Sequence, residues 1–545
     1  MNTYTIQGNI VDIAEKIISA GEIVIQNEII TSISIPERGL INPLLPYICP
    51  GFIDAHVHIE SSMLLPSEFA RLAVVHGTVG TVSDPHEIAN VCGMEGVRFM
   101  IENGKKVPFK FNFGAPSCVP ATFFETAGAV LSADDISELL KDNDIKYLTE
   151  MMNFPGAISG DAEVIKKINT AHKFEKPVDG HAPGLRGDDL KIYIERGIST
   201  DHECFTIEEA KEKLSLGMKI LIREGSAAKN FNELIPLIEE HADKIMFCSD
   251  DKHPDSLVVG HINNLCSRAV EKGYDVFKIL QAACINPIHH YKLDIGMLRV
   301  GDPADFIILE DLINFNVLAT HINGIQVSKE GNSFIERSKL NEELLNNFSC
   351  EPISAIDLKI GAITDHENPV IGCLDGQLIT LKKNLKPKLV GDIYESDAEN
   401  DVLKIVVVNR YHPAPIAKAF VHGFGLKHGA IASSVAHDSH NIVAVGVDDE
   451  SLMQSINLII HHKGGISCVS DSKEDILTLP VAGLMSDGDG YEVAAMYSEL
   501  DRKAKLLGSS LSAPFMSLSF MALLVIPHVK LSDKGLFDGD DFKLY

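Results

Sequence analysis

Between residues 50 and 295 the chain repeats one pattern: a short apolar run ends in polar or small residues, and a stretch with helical spacing follows it. Strands that alternate with helices favour βαβ units around a parallel sheet. Eight such units predict a (β/α)8 barrel, in which functional side chains gather at the carboxyl ends of the strands. The eight runs are Phe52–His58, Thr78–Asp84, Lys110–Pro116, Lys146–Met151, Pro177–His181, Ile198–His202, Lys219–Glu224 and Ile245–Asp250.

Strand-like runs also lie on both sides of the predicted barrel. We expect residues 1–49 and 296–335 to come together as one small β-sandwich domain, split by the barrel. A polar, helix-like connector over 330–350 then leads to a third region. In residues 350–545 strand-like and helical runs alternate, which predicts a C-terminal α+β domain. The fold class is therefore α/β, with two further domains around the barrel.

Composition and charge narrow the range of partners. The chain has 48 Lys and Arg against 76 Asp and Glu, which gives a net charge of −28. Such a surface repels nucleic-acid backbones and anionic membranes, so we expect neither as a main partner. With 45% hydrophobic and 23% charged residues, the composition is that of an ordinary globular protein with enough apolar residues for a buried core.

The cysteines and the N-terminus predict a cytoplasmic protein. None of the ten cysteines forms a C-x-x-C motif, and a chain of this length does not need a disulfide scaffold. The first residues lack a basic segment followed by an apolar run, so no secretory signal is recognised. The most apolar stretch, Phe520–Ile526, is too short to cross a bilayer and is followed by Pro527.

Two histidines, His56 and His58, end the first predicted barrel strand. Residues two apart on a strand point to the same face, so this H-x-H spacing directs both imidazoles at one point. Neutral imidazoles are good ligands for divalent cations. The spacing alone is a weak signal, because the same pair also occurs on ordinary surfaces and in cores.

Four later strand ends carry further residue types that bind metals. The fourth run ends with Glu150, the fifth with His181, the sixth with His202 and the eighth with Asp250. Each has an ordinary structural explanation when taken alone. Because carboxyl ends of parallel strands meet at one face of a barrel, the whole set predicts a metal centre there.

The charges of these side chains indicate how they divide the ligation. A carboxylate has two oxygens, so Glu150 can bridge two cations, and two ions about 3.5–4 Å apart can share and acidify one water molecule. Asp250 could accept the proton of that water and pass it to the leaving group, with Asp251 as the alternative. The remaining ligands fall into two sets, His56, His58 and Asp250 for one ion, and His181 and His202 for the other.

Longer motifs around these residues resemble the adenine deaminase (adenase) family of the metal-dependent amidohydrolases. The resemblance covers essentially the whole chain and follows the order of the family's motifs. The returning segment GDPADFIIL also resembles the β-segment that follows the barrel in amidohydrolases. The motifs are PGFIDAHVHIESSM, SDPHEIANV, MMNFPG, DGHAPG, TDHE and SDDKHP.

The resemblance implies an activity and a cofactor. The expected reaction is the hydrolysis of adenine to hypoxanthine and ammonia by a metal-bound hydroxide, as in purine salvage. It implies two divalent ions, Mn²⁺ or Fe²⁺ with Zn²⁺ as a further option, and a homodimer. Glu150 would be the bridging carboxylate, where many relatives use a modified lysine.

Other polar residues are weaker candidates for the catalytic face. Glu87 is a candidate proton carrier and His86 a candidate contact for the purine, although Asp84 could simply cap a helix here. Ser117 and Cys118 follow the third run, and Arg223 follows the seventh, so they could line the substrate pocket. In the third region, His437 and His440 belong to an unusually polar HDSHN segment that could reach the substrate or form a turn.

Three alternatives fit the pattern less well. A cyclic-amide hydrolase of the dihydroorotase or hydantoinase kind usually carries a bridging lysine on the fourth strand, where this chain has Glu150. A mononuclear deaminase that acts on adenosine would not require Glu150 or the third region. A non-catalytic metal-binding scaffold would not require an aspartate placed as a proton carrier.

Overall fold

The chain starts with strands that build one half of a sheet. The structure, a computed structural model, describes residues 3–338, 344–362, 369–470 and 473–545. Ile23 and Ile25 lie two apart on the second strand, so both turn inwards, where they pack against Ile10 and Phe306. The first four strands are β1 (Thr3–Asp12), β2 (Ile17–Gln26), β3 (Ile29–Ser34) and β4 (Tyr47–Pro50).

The next strands form the barrel. They are nearly continuous apolar runs because a parallel barrel buries both faces of every strand. The strands are β5 (Phe52–His58), β6 (Thr78–Ser83), β7 (Lys110–Ala115), β8 (Ile145–Met151), β9 (Val178–Gly180), β10 (Thr200–Asp201), β11 (Lys219–Arg223), β12 (Ile245–Cys248) and β13 (Asp250–Asp251).

The barrel closes between its first and last strands. β13 pairs in parallel with β5, so that Asp250 lies opposite Val57 and Asp251 opposite His58. The last predicted run is thus interrupted at Ser249, whose backbone N–H donates to the Asp54 carboxylate over 2.9 Å. Asp250 then adopts a left-handed backbone, φ 55°, which aspartate tolerates better than most residues.

Helices cover the outside of the barrel, as an α/β fold requires. They are α1 (Pro66–Ala73), α2 (His86–Gly104), α3 (Ala133–Lys141), α4 (Phe154–Ser159), α5 (Ala162–Lys173), α6 (Gly187–Glu195), α7 (Ile207–Ser215), α8 (Phe231–Leu234), α9 (Ile238–His241), α10 (Pro254–Val259), α11 (Ile262–Glu271), α12 (Val276–Leu280) and α13 (Asn286–Tyr291).

After the barrel, the chain returns to the sheet at its start. The first returning strand, Phe306–Leu309, pairs with β4 in antiparallel register, which produces one eight-stranded sheet. This sheet draws its strands from both sides of the barrel, as the fold class predicts. The returning strands are β14 (Phe306–Leu309), β15 (Val317–Ile322), β16 (Ile325–Lys329) and β17 (Asn332–Ser333). The order of strands in the sheet is β17-β16-β15-β14-β4-β1-β2-β3.

The remaining elements form the third domain. Its strands are β18 (Ile360–Gly361), β19 (Val370–Gly372), β20 (Leu381–Lys383), β21 (Lys388–Val390), β22 (Ile393–Glu395), β23 (Val402–Val408), β24 (Ala417–His422), β25 (Ala430–Ser433), β26 (Ile442–Gly446), β27 (Gly465–Ser470), β28 (Lys473–Thr478), β29 (Val529–Ser532), β30 (Gly535–Asp538) and β31 (Lys543–Leu544). Its helices are α14 (Asp449–His462), α15 (Gly490–Leu506) and α16 (Pro514–Phe520).

The third domain shares a core with the barrel. β23 is buried along its whole length, because its two faces pack against different partners. Val406 and Val408 face α14, whereas Ile405 and Val407 belong to a cluster that continues into barrel residues such as Val57. The third domain is therefore packed firmly over the barrel.

The fold class predicted from the sequence is confirmed, including the barrel and its two additional domains. One local prediction is wrong: the stretch 330–350 forms no helix in its described part, and 339–343 lie outside the described residues. The domain boundaries stay a prediction. Among the residues that the structure describes, no helix combines the length and the apolar character needed to span a bilayer.

Candidate metal centre and active site

The first predicted ligand set meets at the end of β5. His56 Nε2 and His58 Nε2 lie 3.1 Å apart, because both side chains leave the strand on the same face. Asp250 Oδ1 lies 3.2 Å from His58 Nε2 and 3.8 Å from His56 Nε2. All three residues are buried. The pairing of β13 with β5 thus brings a residue from the far end of the barrel to the histidine pair.

Glu150, at the end of β8, lies between this set and the other two histidines. Its Oε2 accepts a hydrogen bond from His181 Nδ1 at 2.8 Å and lies 3.0 Å from His202 Nε2. Its Oε1 lies 3.5 Å from His58 Nε2. One carboxylate therefore turns one oxygen towards each group of imidazoles, which is the arrangement expected of a bridging ligand.

The chemistry of these residues fits divalent cations. Burial and the neighbouring His202 and His58 hold the pKa of His56 well below its ordinary value, which favours the neutral imidazole. At His58, by contrast, burial is outweighed by the carboxylates of Asp250 and Glu150, which raise the pKa of this histidine. Two facing ring nitrogens 3.1 Å apart are both satisfied if a cation lies between the lone pairs. Imidazole and carboxylate together suit Zn²⁺, Fe²⁺ and Mn²⁺.

A buried arginine holds the carboxylates of the site. Arg223 Nη1 donates to Asp250 Oδ2 at 2.6 Å and also bonds Glu203. Burial opposes ionisation of Asp250, but Arg223 and His58 hold its pKa well below the usual range. The guanidinium of Arg223 thus bonds two carboxylates, and its predicted contact with the substrate stays a prediction.

Lys213 contacts the residues next to His181 and His202. Its buried ammonium bonds Asp201, the residue before His202, and donates to the carbonyl of Ala182, the residue after His181, at 2.7 Å. A single cation thus ties together the two strand ends that carry the ligands. Because Lys213 supplies a positive charge, the carboxylate of Asp201 can be buried next to the predicted ligand His202.

Ser117 and Cys118 also contact the strand that carries Glu150. Ser117 Oγ donates to the Glu150 carbonyl at 2.5 Å, and Cys118 Sγ lies 3.9 Å from the sulfur of Met151. These contacts hold the backbone of β8. The predicted substrate contacts of Ser117 and Cys118 stay a prediction.

A second polar group lies beside the metal ligands. His86 Nδ1 is 3.1 Å from Asp84 Oδ2 and 3.5 Å from Glu150 Oε1. On its other side, His86 Nε2 is 3.4 Å from Glu87 Oε1 and 3.6 Å from Asp438 Oδ1. His86 therefore links the bridging carboxylate to residues of the third domain.

The third domain reaches this group through the segment that follows β25. His437 Nδ1 bonds Glu87 Oε1, and His440 Nε2 bonds Glu87 Oε2. Burial opposes ionisation of Glu87, but His437, His440 and His86 hold its pKa well below the usual value. His437 and His440, predicted as substrate contacts, thus come together at Glu87.

Asp251 lies near Glu87, which contacts His86, and these three residues together form a polar wall on one side of the site. Asp251 Oδ1 accepts a hydrogen bond from Ser61 Oγ at 2.6 Å and lies 3.8 Å from His437 Nε2. Sequence reasoning missed Ser61 as a member of this group and included Asp438 only as part of the HDSHN segment. The signals were present, since Ser61 lies in the IESSM part of the first motif and Asp438 in HDSHN.

Comparisons with known proteins cover the whole chain. A family model described as amidohydrolase family matches residues 47–327, and one described as adenine deaminase C-terminal domain matches residues 377–543. An adenine deaminase from Salinibacter ruber is 53% identical over 547 residues, covering 99% of this chain and 98% of that protein. Adenine deaminases from Sulfurovum sp. and Methanosarcina mazei are 54% and 50% identical, each covering 98% of both proteins.

Proposed function

The chain belongs to the adenine deaminase family of the amidohydrolases, and we propose from this premise that it hydrolyses adenine to hypoxanthine and ammonia. The observation that carries the proposal is Glu150, one buried carboxylate with an oxygen towards each of two imidazole groups. A site of this kind suits the attack of water on the electron-poor C6 of adenine, the carbon that zinc deaminases also attack.

The distances between the clustered side chains support the ligand assignment. Amidohydrolases typically bind divalent metals, and the clustered residues here would hold two ions, with Mn²⁺ or Fe²⁺ favoured and Zn²⁺ possible. When bound, such ions supply a nucleophilic water at neutral pH. His56, His58 and Asp250 would hold one ion, His181 and His202 would hold the other, and Glu150 would hold both.

We propose that three carboxylates move the proton. Asp250 lies among the ligands and would accept the proton of the attacking water, as a general base. Asp251 and Glu87 lie on the side of the third domain, where they would carry a proton towards the leaving amine. Arg223 keeps Asp250 oriented and ionised during these steps.

The purine would lie against the polar wall formed by His86, Glu87 and Asp251. Flipped or free bases are recognised by hydrogen bonds to their polar edges inside closed pockets. His86 Nε2 makes no hydrogen bond to any other described residue, so it offers a polar atom for a ring nitrogen. We propose His86 as the residue of this wall that contacts the purine ring.

One assay tests the function. The metal-loaded protein is incubated with adenine, adenosine and dihydroorotate, while ammonia release and the purine ultraviolet spectrum are followed. We expect turnover of adenine alone. Hydrolysis of dihydroorotate without any turnover of adenine would contradict the proposal and favour a cyclic-amide hydrolase instead.

The expected location and assembly are proposals too. All ten cysteines are unpaired, which agrees with a reducing cytoplasm. We expect a homodimer, and light scattering on the purified protein tests it. A monomer at micromolar concentration would contradict that expectation and leave the deaminase assay unaffected.

A further inference from the structure

The turn between β25 and β26 carries polar side chains of the third domain into the barrel mouth. Glu87, at the start of α2, receives one imidazole at each of its oxygens, His437 at Oε1 and His440 at Oε2. All three side chains are buried. A carboxylate removed from water requires such partners, because an unpaired buried charge is strongly unfavourable.

The hydrogen bonds around His440 fix the direction of its bond to Glu87. The backbone N–H of Ala436 donates to His440 Nδ1 over 3.2 Å. A ring nitrogen that accepts a hydrogen bond carries no proton, so the proton of a neutral imidazole is on Nε2. Nε2 therefore donates to Glu87, which must accept as a carboxylate.

The turn itself is held by the third domain and by the barrel. The backbone N–H of His440 donates to the Ala436 carbonyl at 2.7 Å, and Tyr411 Oη donates to the Ser439 carbonyl at 2.6 Å. Asn441 Nδ2 reaches across to the carbonyl of Thr126 at 2.9 Å. Both imidazoles thus approach Glu87 from a backbone that is fixed on two sides.

His437 also faces the second proton carrier. Its Nε2 lies 3.8 Å from Asp251 Oδ1 and makes no hydrogen bond to any other side chain in the described part of the chain. The imidazole therefore stands between Glu87 and Asp251. The barrel and the third domain therefore contact each other here through the proposed proton carriers Glu87 and Asp251, and not only through apolar packing.

We propose that His437 and His440 are positioning residues of the deaminase site, through which the third domain holds Glu87 as an oriented carboxylate next to the purine. The inference rests on the proposed function. It gives the third domain a direct part in turnover. It also predicts that these two histidines act through Glu87 and not through the metal ligands.

The first test uses the hydrogen-bonding atoms of each histidine. The amide nitrogen of glutamine can replace an imidazole Nε2, and that of asparagine can replace Nδ1. We expect His440→Ala and His437→Ala to lower kcat about 10- to 100-fold, the usual effect of losing a partner of a catalytic group. His440→Gln and His437→Asn should recover much of this loss, with unchanged metal content.

The second test is a double-mutant cycle. If His440 acts through Glu87, then His440→Ala should lower kcat much less in the Glu87→Ala background than in the wild-type background. His462→Ala, at the exposed end of α14, is the matched control and should leave kcat unchanged. Thermal unfolding and metal analysis of every variant separate loss of fold from loss of function.

Two results would overturn the inference. One is an equal loss of kcat from His440→Ala in both backgrounds; the other is a glutamine or asparagine variant no better than alanine at both positions. The failure of the proposed function is distinguishable, because wild-type protein would then release no ammonia from adenine. If His440→Ala does not fold, the His437 pair of variants decides the outcome.

Discussion

The metal ligands and the HDSHN turn are two polar regions that meet at one site but are built in different ways. Every predicted ligand lies within two residues of one end of a barrel strand, where the sheet holds the backbone. His437 and His440 lie in a turn between two antiparallel strands of another domain. Side-chain and turn hydrogen bonds, together with the packing of His437 against Phe520, hold those two histidines in place.

The difference indicates that the two regions have different roles, one in binding metal ions and the other in orienting a proton carrier. Strand ends of a barrel are rigid and hold several ligands at set distances, as a metal centre requires. A turn tolerates changes in sequence and can be adjusted to a substrate, which makes it suited to residues that orient a proton carrier. Changes in the predicted ligands should therefore weaken metal binding, whereas changes near the turn should alter turnover alone.

The largest effect is expected from Glu150→Gln. Glutamine keeps the shape but removes the charge, so we expect the loss of one of the two ions. Metal catalysis contributes several kcal/mol to the transition state, which corresponds to a loss in kcat of at least about 10³-fold. Metal analysis and adenine kinetics measure both effects, with the exposed Glu102→Gln as control. Two tightly held ions in the Glu150 variant would contradict a bridging role.

Asp250→Asn should have the next largest effect. General acid–base catalysis contributes about 10²–10⁴-fold, and we expect a loss of about 10²–10³-fold in kcat with adenine still bound. Asp251→Asn lies one residue further along β13 and should leave the metal content unchanged. If Asp251→Asn lowers kcat more than Asp250→Asn does, the two aspartates exchange their assigned roles. Wild-type rates in the Asp250 variant would remove it from the mechanism.

Arg223→Met should have an intermediate effect. The change leaves Asp250 and Glu203 buried without their cation, and partners of this kind are worth about 10- to 100-fold in activity or metal affinity. Arg223→Lys restores the charge but not the paired geometry, so its kcat should lie between wild type and Arg223→Met. A methionine variant with normal metal affinity and normal kcat would show that Asp250 needs no such support.

Much of the barrel could be predicted because each strand is marked by a pattern of a few neighbouring residues. Apolar runs that end in a polar residue mark each strand end, and five of the six predicted metal ligands lie within two residues of the end of a strand as the sequence predicts. The sequence also indicates Asp250 at the end of the eighth run, but the break at Ser249 and the left-handed backbone of Asp250, which separate β12 from β13, are seen only in the structure. The sixth strand is also shorter than its predicted run, with only Thr200 and Asp201 in the sheet.

The contacts of the third domain could not be predicted in the same way. Glu87 and His440 are 353 residues apart, and no periodicity connects a helix start with a distant turn. The polar HDSHN segment was recognisable, but its partner depends on how two domains pack. Arg223 illustrates a further limit: its place in the sequence suggests a substrate contact, but its bonds to the carboxylates of Glu203 and Asp250 depend on how three strand ends pack.

The smallest effect on activity is expected at another contact between the barrel and the third domain. Arg71 Nη1, on α1, donates to Asp489 Oδ2 at 2.7 Å, just before α15, far along the chain from the HDSHN turn. Arg71→Met keeps the apolar stem and removes the charged hydrogen bonds, which should lower stability by about 2 kcal/mol. Because this contact touches no proposed catalytic group, kcat should stay within about twofold of wild type. Denaturant unfolding and adenine kinetics on the same samples measure both quantities. A loss of kcat as large as that expected for His440→Ala would mean that firm docking of the third domain, and not the two histidines on Glu87, sets the rate.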